Sequence, residues 1–301
     1  MKKPNAFIVG APKCGTTAMH EYLSQHPDVY ACKPKEPHYF IQGDFPKWWK
    51  ITEEEYLSLF SSAKKEKILL DSSVWYLYSK NSLRKIYEFN QDAKIIIILR
   101  NPVEMVHACH GENYKNRQDD QKTIKDSWEL IEDRKKGKYI PSTCRAEQLL
   151  YYDEVAGYKV QVECALQHFN RDQVHIILFD DFKSNPSKVF ECALNFLDIK
   201  TFKEMDFSPV NKSKTIHSSI VGDLTRGHPK LVFDVYRFLK KKIGLNGIGL
   251  MKKIRQINEH EKKRDPLPSE LGIRIINNYR EDIEYIEDLM GRDLSAWKTI
   301  P

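Results

Sequence analysis

The chain has 301 residues, 41% of them hydrophobic and 30% charged, and a net charge of +6. That is enough apolar chain for one large domain with a real core. The basic balance is too weak to argue for nucleic acid and suits smaller anionic ligands. From the amino terminus, Met-Lys-Lys-Pro leads directly into an apolar run at residues 6–9 that ends at Gly10, and it does not read as a signal peptide. Residues 16–25 then have helical spacing, as do residues 53–60. Strand-like runs follow at residues 68–70 and 95–99, the second inside "KIIIILR", Lys94 to Arg100. Helices are predicted at residues 124–135 and 153–168, a strand at 174–179, and helices at 186–197 and 270–290. Residues 211–267 are rich in Lys, Arg, Gly and His, and are expected to cover the nucleotide or acceptor site.

Apolar strands alternating with amphipathic helices predict an α/β fold with a parallel sheet buried on both faces. The expected architecture is a central parallel sheet like that of P-loop NTPases, flanked by helices, in a single domain over residues 1–301. "KIIIILR" is its best central strand, because a continuous β-branched run fits only where both faces are covered. No run of 18 apolar residues occurs, so no membrane-spanning helix is expected. The six cysteines are scattered, with no C-x-x-C pair. They predict reduced thiols in a cytoplasmic protein rather than a disulfide framework or a zinc site.

The first loop carries the chemistry. "GAPKCGTT", Gly10 to Thr17, joins a strand to a helix. A phosphate-binding loop usually reads G-x-x-x-x-G-K-(S/T). Gly10 and Gly15 have that spacing, but Thr16 stands where the lysine belongs, and Lys13 lies inside the loop. Backbone N–H groups of such a turn converge, and the helix N-terminus adds partial positive charge, so an anion binds readily. Thr16 and Thr17 add hydroxyl donors and Lys13 a full charge. An ATP-using loop also needs a magnesium ligand, usually an acidic residue ending a nearby strand. "ILLDSS" offers Asp71, so a kinase or NTPase, or a non-catalytic nucleotide-binding relative, stays open beside other anion chemistry. The central strand ends instead in Arg100, followed by Asn101-Pro102. An arginine at that end suits a second phosphate, since ligands of open α/β sheets bind at the carboxyl ends of the strands.

These segments together resemble the sulfotransferases that use 3′-phosphoadenosine 5′-phosphosulfate (PAPS). "PKCGTT" resembles that family's 5′-phosphosulfate loop, in which the lysine sits between the two glycines. "ILRNPVEMVHACH" resembles its 3′-phosphate segment, L-R-(D/N)-P-V-x-x-x-x-S. "KEPHYF", Lys35 to Phe40, is similar to the K-E-P-H-F-F stretch of the heparan sulfate glucosaminyl 3-O-sulfotransferases. Residues 156–199 are similar to the later G-x-Y…D-(F/L)…P…F-L-G stretch. The resemblance implies a PAPS donor, no metal, and transfer to a hydroxyl or amine of a carbohydrate or small-molecule acceptor. It implies that Lys13 contacts the 5′-phosphate and stabilises the leaving group, that Cys14, Gly15, Thr16 and Thr17 supply donors, and that Arg100 binds the 3′-phosphate. The family serine eight residues later is Ala108 here. A lost hydroxyl there is worth about 1–2 kcal/mol if nothing replaces it; His107 or His110 would be the substitute.

Glu36 matches the carboxylate read as general base in the 3-O-sulfotransferase group. A hydroxyl that attacks sulfur must lose its proton to a base within hydrogen-bond reach. His38 is the second candidate, an imidazole having an unperturbed pKa of about 6.5. The aspartate that follows Phe-Phe in that group is Ile41 here, so acceptor contacts are expected to differ. Asp71, Ser72 and Tyr76 follow a strand at the ligand-binding end, either lining the acceptor pocket or forming a plain loop. His107, Cys109 and His110 do not make a closed metal site. "NKSKTIHSS", Asn211 to Ser219, resembles the basic loop over the 3′-phosphate, with Lys212 and Lys214 as candidates. Residues 229–244 are amphipathic and basic; they either pack on their own domain or make peripheral contact with a membrane surface.

Overall fold

Ile95, Ile96, Ile97, Ile98 and Leu99 are all fully buried, because their strand, β4 (Lys94–Leu99), is paired on both sides. The computed structural model describes residues 2–45, 50–201, 206–208, 214–216, 259–261 and 266–300. Its main sheet has five parallel strands in the order β2-β3-β1-β4-β5: β1 (Ala6–Gly10), β2 (Val29–Ala31), β3 (Ile68–Ser72), β4 and β5 (Val174–Leu178). Phe7 of β1 lies between Asp71 of β3 and Ile95 of β4, and β4 pairs with β5 from Ile95↔Val174 to Leu99↔Leu178. The chain builds β2 and β3 on one side of β1, then crosses to β4 and β5 on the other. That change of direction is where open α/β sheets bind ligands. The loops after β1, β3 and β4 all emerge there, which brings the Gly10–Gly15 turn, Asp71–Ser73 and Arg100 to one end of the sheet.

The predicted strands are all present, and β2 is an addition of three residues. The predicted first helix is α1 (Thr16–Ser24). Next come α2 (Glu53–Ser58), opened by a capping box between Thr52 and Glu55, and α3 (Ser82–Phe89). After β4, α4 (Pro102–Lys115) starts on a proline, whose missing N–H and fixed φ suit a first turn,. The single helix predicted at residues 124–135 is two, α5 (Ile124–Glu129) and α6 (Ile131–Lys135). The helix predicted from residue 153 begins only after Gly157, as α7 (Tyr158–His168). Phe179, predicted to end β5, opens α8 (Phe179–Ser184), and α9 (Pro186–Phe196) follows. The last predicted helix is also two, α10 (Ser269–Asn278) and α11 (Arg280–Met290), the latter ending at Gly291 in left-handed backbone,.

The chain forms two compact units. One comprises Met1–Met105, Ala156–Asn211 and Ile273–Pro301, and the other Val106–Val155 and Lys212–Gly272. The first contains the five-stranded sheet. The second is pinned by a buried ion pair: Arg134 donates to both carboxylate oxygens of Asp119, at 3.1 and 2.8 Å, and neither side chain is exposed. Ser127 and Tyr152 also donate to Asp119, at 2.8 and 2.9 Å. Removing one member of such a pair strands the other charge, at a typical cost of about 3–5 kcal/mol. In the same unit, β6 (Lys214–Ile216) pairs antiparallel with β7 (Glu259–Glu261). Lys214 opens β6, while Lys212 and the predicted amphipathic stretch at 229–244 lie outside the described residues. Among the described residues, no helix is long and apolar enough to cross a membrane.

Candidate active site

The turn between β1 and α1 is left-handed at Lys13 (φ 62°) and at Gly15 (φ 87°). Glycine is required at position 15 twice over: its φ favours it, and a Cβ would stand 2.9 Å from the Phe179 ring,. Lys13 has no such freedom, and its backbone costs about 1 kcal/mol or more relative to an ordinary conformation. No side chain caps α1, and its first turn carries no acidic residue. The N–H groups and positive dipole end of that turn therefore meet no acidic side chain of their own first turn, an arrangement that suits an anion,. Thr16 is buried, while Lys13 and Thr17 are half-buried. Cys14 is fully buried, and its thiol donates to the Pro12 carbonyl at 3.4 Å, so it offers a ligand only its backbone.

Arg100 leaves the carboxyl end of β4 and reaches this turn. Its Nη1 donates to the Lys13 carbonyl at 3.2 Å. Its Nε and Nη2 lie 2.8 and 2.7 Å from Oε2 of Glu104, one helical turn on. The guanidinium lies over the Phe179 ring, 4.7 Å from its centroid, and the Arg100 carbonyl accepts from the Tyr158 hydroxyl at 2.7 Å. Two cations, a helix N-terminus and two threonine hydroxyls thus converge on one end of the sheet.

The second group of residues follows β2. Glu36 and His38 flank Pro37, and both hold left-handed backbone, φ 64° and 53°. Among the described residues six non-glycine positions have positive φ, and Lys13, Glu36 and His38 are three of them; such conformations persist where the surroundings over-determine them. Glu36 Oε1 pairs with Lys35 Nζ at 2.5 Å, and its Oε2 lies 3.4 Å from His38 Nε2. Burial pushes the Glu36 pKa up, but the His38 ring and the Lys35 ammonium outweigh it and bring the carboxyl down to about 2,. Glu36 is therefore ionised across the neutral range. The His38 amide donates to Ser73 Oγ at 3.2 Å, and the Phe40 amide to the Tyr76 hydroxyl at 3.5 Å. His20 of α1 lies in the same field. Burial, aided by Lys35, lowers its pKa to about 4, and its Nδ1 is 2.9 Å from Ser72 Oγ.

Residues 3–242 match the family model described as the sulfotransferase domain. The chain belongs to the sulfotransferase family. It is 23% identical over 288 residues to human carbohydrate sulfotransferase 15, an alignment covering 78% of this chain and 51% of that protein. It is 34% identical over 100 residues to human heparan sulfate glucosamine 3-O-sulfotransferase 6, covering 33% of this chain and 28% of that one. This sulfotransferase spans about half the length of the curated relatives it matches. Among solved structures, a sulfotransferase from Alicyclobacillus acidocaldarius superposes with a TM-score of 0.73 at 27% identity, covering 99% of this chain and 100% of that one.

In this sulfotransferase, Lys13, Cys14, Gly15, Thr16, Thr17 and Arg100 lie together at the carboxyl end of the sheet. Glu36 and His38 lie side by side on their own loop. Ala108 is buried in the second turn of α4. His110 is committed within the second unit, its Nε2 facing the Gln121 carbonyl at 3.0 Å. Three residues escaped sequence reasoning: His20, Glu104 and Ser73. His20 falls one helical turn after Thr16, and Glu104 one turn after Arg100, so the i, i+4 spacing is the signal that would have found them. Asp71, expected after the strand in the acceptor pocket or a plain loop, lies within β3: it is fully buried and accepts from the Tyr56, Ser73 and Tyr76 hydroxyls.

Proposed function

We propose that this sulfotransferase transfers the sulfuryl group of PAPS to a hydroxyl, or an amine, of a carbohydrate or small-molecule acceptor by in-line displacement. The observation that carries this is the contact of Arg100 with the Lys13 carbonyl: the loop built for one phosphate and the arginine suited to a second are parts of one site. PAPS supplies an activated sulfuryl group together with two such phosphates. The α1 N-terminus, Thr16 and Thr17 hold the 5′ end, and Arg100 the 3′-phosphate. Lys13 neutralises charge that develops on the bridging oxygen as the sulfur–oxygen bond breaks, a role that magnesium shares in phosphoryl transfer. Glu36 accepts the acceptor's proton as the new sulfur–oxygen bond forms, which leaves a sulfated acceptor and 3′-phosphoadenosine 5′-phosphate (PAP). A carboxylate held as low as Glu36 is a weak base, and His38, 3.4 Å away, is placed to share the proton. A carbohydrate acceptor is supported by the names of the relatives, carbohydrate sulfotransferase 15 and heparan sulfate glucosamine 3-O-sulfotransferase 6. All six cysteines are thiols, which supports a reducing compartment such as the cytoplasm.

Mass spectrometry tests this on reactions of the purified chain with PAPS and a panel of hydroxyl- and amine-bearing acceptors, with and without EDTA. A sulfated product that forms equally well in EDTA is expected. Phosphorylation from ATP and magnesium, with no transfer from PAPS, overturns it.

A further inference from the structure

The mechanism above leaves Asp71 without a task. It sits in β3, opposite Phe7 of β1, and is wholly buried. A buried carboxylate is costly unless its oxygens are fully hydrogen-bonded, and an apolar side chain would often serve stability as well. Its partners are neutral. Ser73 Oγ donates to Oδ1 at 2.8 Å, while the Tyr56 and Tyr76 hydroxyls donate to Oδ2 at 2.7 and 3.0 Å.

The consequence lies one bond further out. A hydroxyl has one proton and two lone pairs. Because Asp71 takes the proton of Ser73 and of Tyr76, both oxygens must turn lone pairs elsewhere. The Ser73 oxygen receives the His38 amide at 3.2 Å, and the Tyr76 oxygen the Phe40 amide at 3.5 Å. The third hydroxyl belongs to Tyr56, whose ring stacks on Tyr39 at 4.5 Å with an interplanar angle of 10°. One carboxylate therefore sets the polarity of the contacts to residues 38 and 40, and anchors the hydroxyl of the ring that stacks on residue 39. Those residues continue directly from Glu36 and Pro37, and the left-handed backbone at Glu36 and His38 needs an external hold,. We infer that Asp71 is a positioning residue for the proton-accepting loop, acting through Ser73, Tyr76 and Tyr56 to hold Glu36 and His38 in place. Its catalytic relevance rests on the sulfuryl-transfer mechanism proposed above; its hold on the loop does not.

Asp71→Asn is the informative change. The amide keeps the carboxylate's shape but must donate through one arm, so at least one hydroxyl has to reverse and present its proton toward the loop. Hydrogen–deuterium exchange on the full nucleotide-free chain reads the hold directly. The amides of His38 and Phe40 are expected to exchange about tenfold faster in Asp71→Asn, with β1 and β4 amides unchanged. With PAPS and an acceptor that the wild type uses, kcat is expected to fall at least tenfold while PAP affinity stays within about twofold, a split that general loss of stability would not produce. Ser73→Ala, which removes the His38 contact and the Ser73 bond to Asp71 but leaves the Tyr76 link to Phe40, should move both readouts in the same direction by a smaller amount; it serves if Asp71→Asn fails to fold. Unchanged exchange at residues 36–41, or acceleration spread evenly over the sheet, overturns the inference. So does a loosened loop with unchanged kcat. If the wild type sulfates no acceptor, the proposed function falls and the exchange result alone decides whether Asp71 holds the loop.

Discussion

The Arg100 guanidinium donates to the Lys13 carbonyl at 3.2 Å, although 87 residues separate the two in sequence. Lys13 holds left-handed backbone, and Arg100 braces that same residue through its carbonyl. Loss of Arg100 therefore removes a brace on the loop and, under the proposed function, a phosphate ligand at once. The nucleotide preference tests the first role. PAP is expected to stabilise the protein far more than ADP, because ADP lacks the 3′-phosphate; at about 100 times Kd the gain is about 2.7 kcal/mol. Thermal unfolding with each nucleotide measures this, and equal shifts would count against the assignment of Arg100. Arg100→Ala should erase most of the difference.

Lys13→Ala should reduce kcat by about 10²–10³, the usual loss when one preorganised charge or donor at a developing oxyanion is removed. Single-turnover measurements with PAPS give the value directly. A variant within threefold of wild type would remove Lys13 from the chemistry.

Glu36→Gln should lower kcat by about 10²–10⁴ and leave PAP affinity nearly intact, since the amide keeps the shape but cannot accept a proton. His38→Asn should cost less. The pH profile separates the two further. The Glu36 carboxyl is held down at about 2, so it stays ionised on acidification and adds no inflection to kcat/KM between pH 4 and 7. An acid limb inside that window would transfer the essential proton acceptor to His38.

A buried and a half-buried histidine, His20 and His175, predict a loss of stability in mild acid. Burial holds His20 and His175 near a pKa of about 4, against about 6.5 in an unfolded chain. Both pKa values are lowered by folding, so the unfolded state binds the extra protons. Stability is complete above pH 6.5, falls as the pH drops toward 4, and gains no further penalty from these two below that. Each contributes up to about 3 kcal/mol. His175 stacks on Phe196 at 5.1 Å, so His175→Phe keeps an aromatic face there and should flatten the dependence. Urea titrations at pH 7 and pH 4.5 test this; an equal loss in the variant would assign the effect elsewhere.

Much of the architecture is legible in the residues themselves. The isoleucine run of β4 announces a strand covered on both faces, and the Gly10–Gly15 spacing announces the anion turn. β2 escapes because three residues are too few to show a period. The breaks at Leu130 and Tyr279 escape because neither Gly nor Pro marks them; packing ends those helices, not local chemistry. The loop-and-arginine half of the candidate site is legible because its residues are consecutive or sit at a strand end. The support behind Glu36 and His38 is not, because Tyr56, Asp71, Ser73 and Tyr76 meet their partners only in three dimensions, and the left-handed backbone at Glu36 has no glycine to signal it.

Glu104 gives Arg100 a resident counterion. An anion that takes the guanidinium fork through Nε and Nη2 must displace a carboxylate already seated there at 2.8 and 2.7 Å. Binding at that edge is then an exchange of one negative partner for another, not the neutralisation of a bare cation. Dissolved salt screens both partners alike, so an anion's contact with Arg100, the 3′-phosphate under the proposed function, should respond only weakly to ionic strength, with selection by geometry and charge density more than by attraction alone.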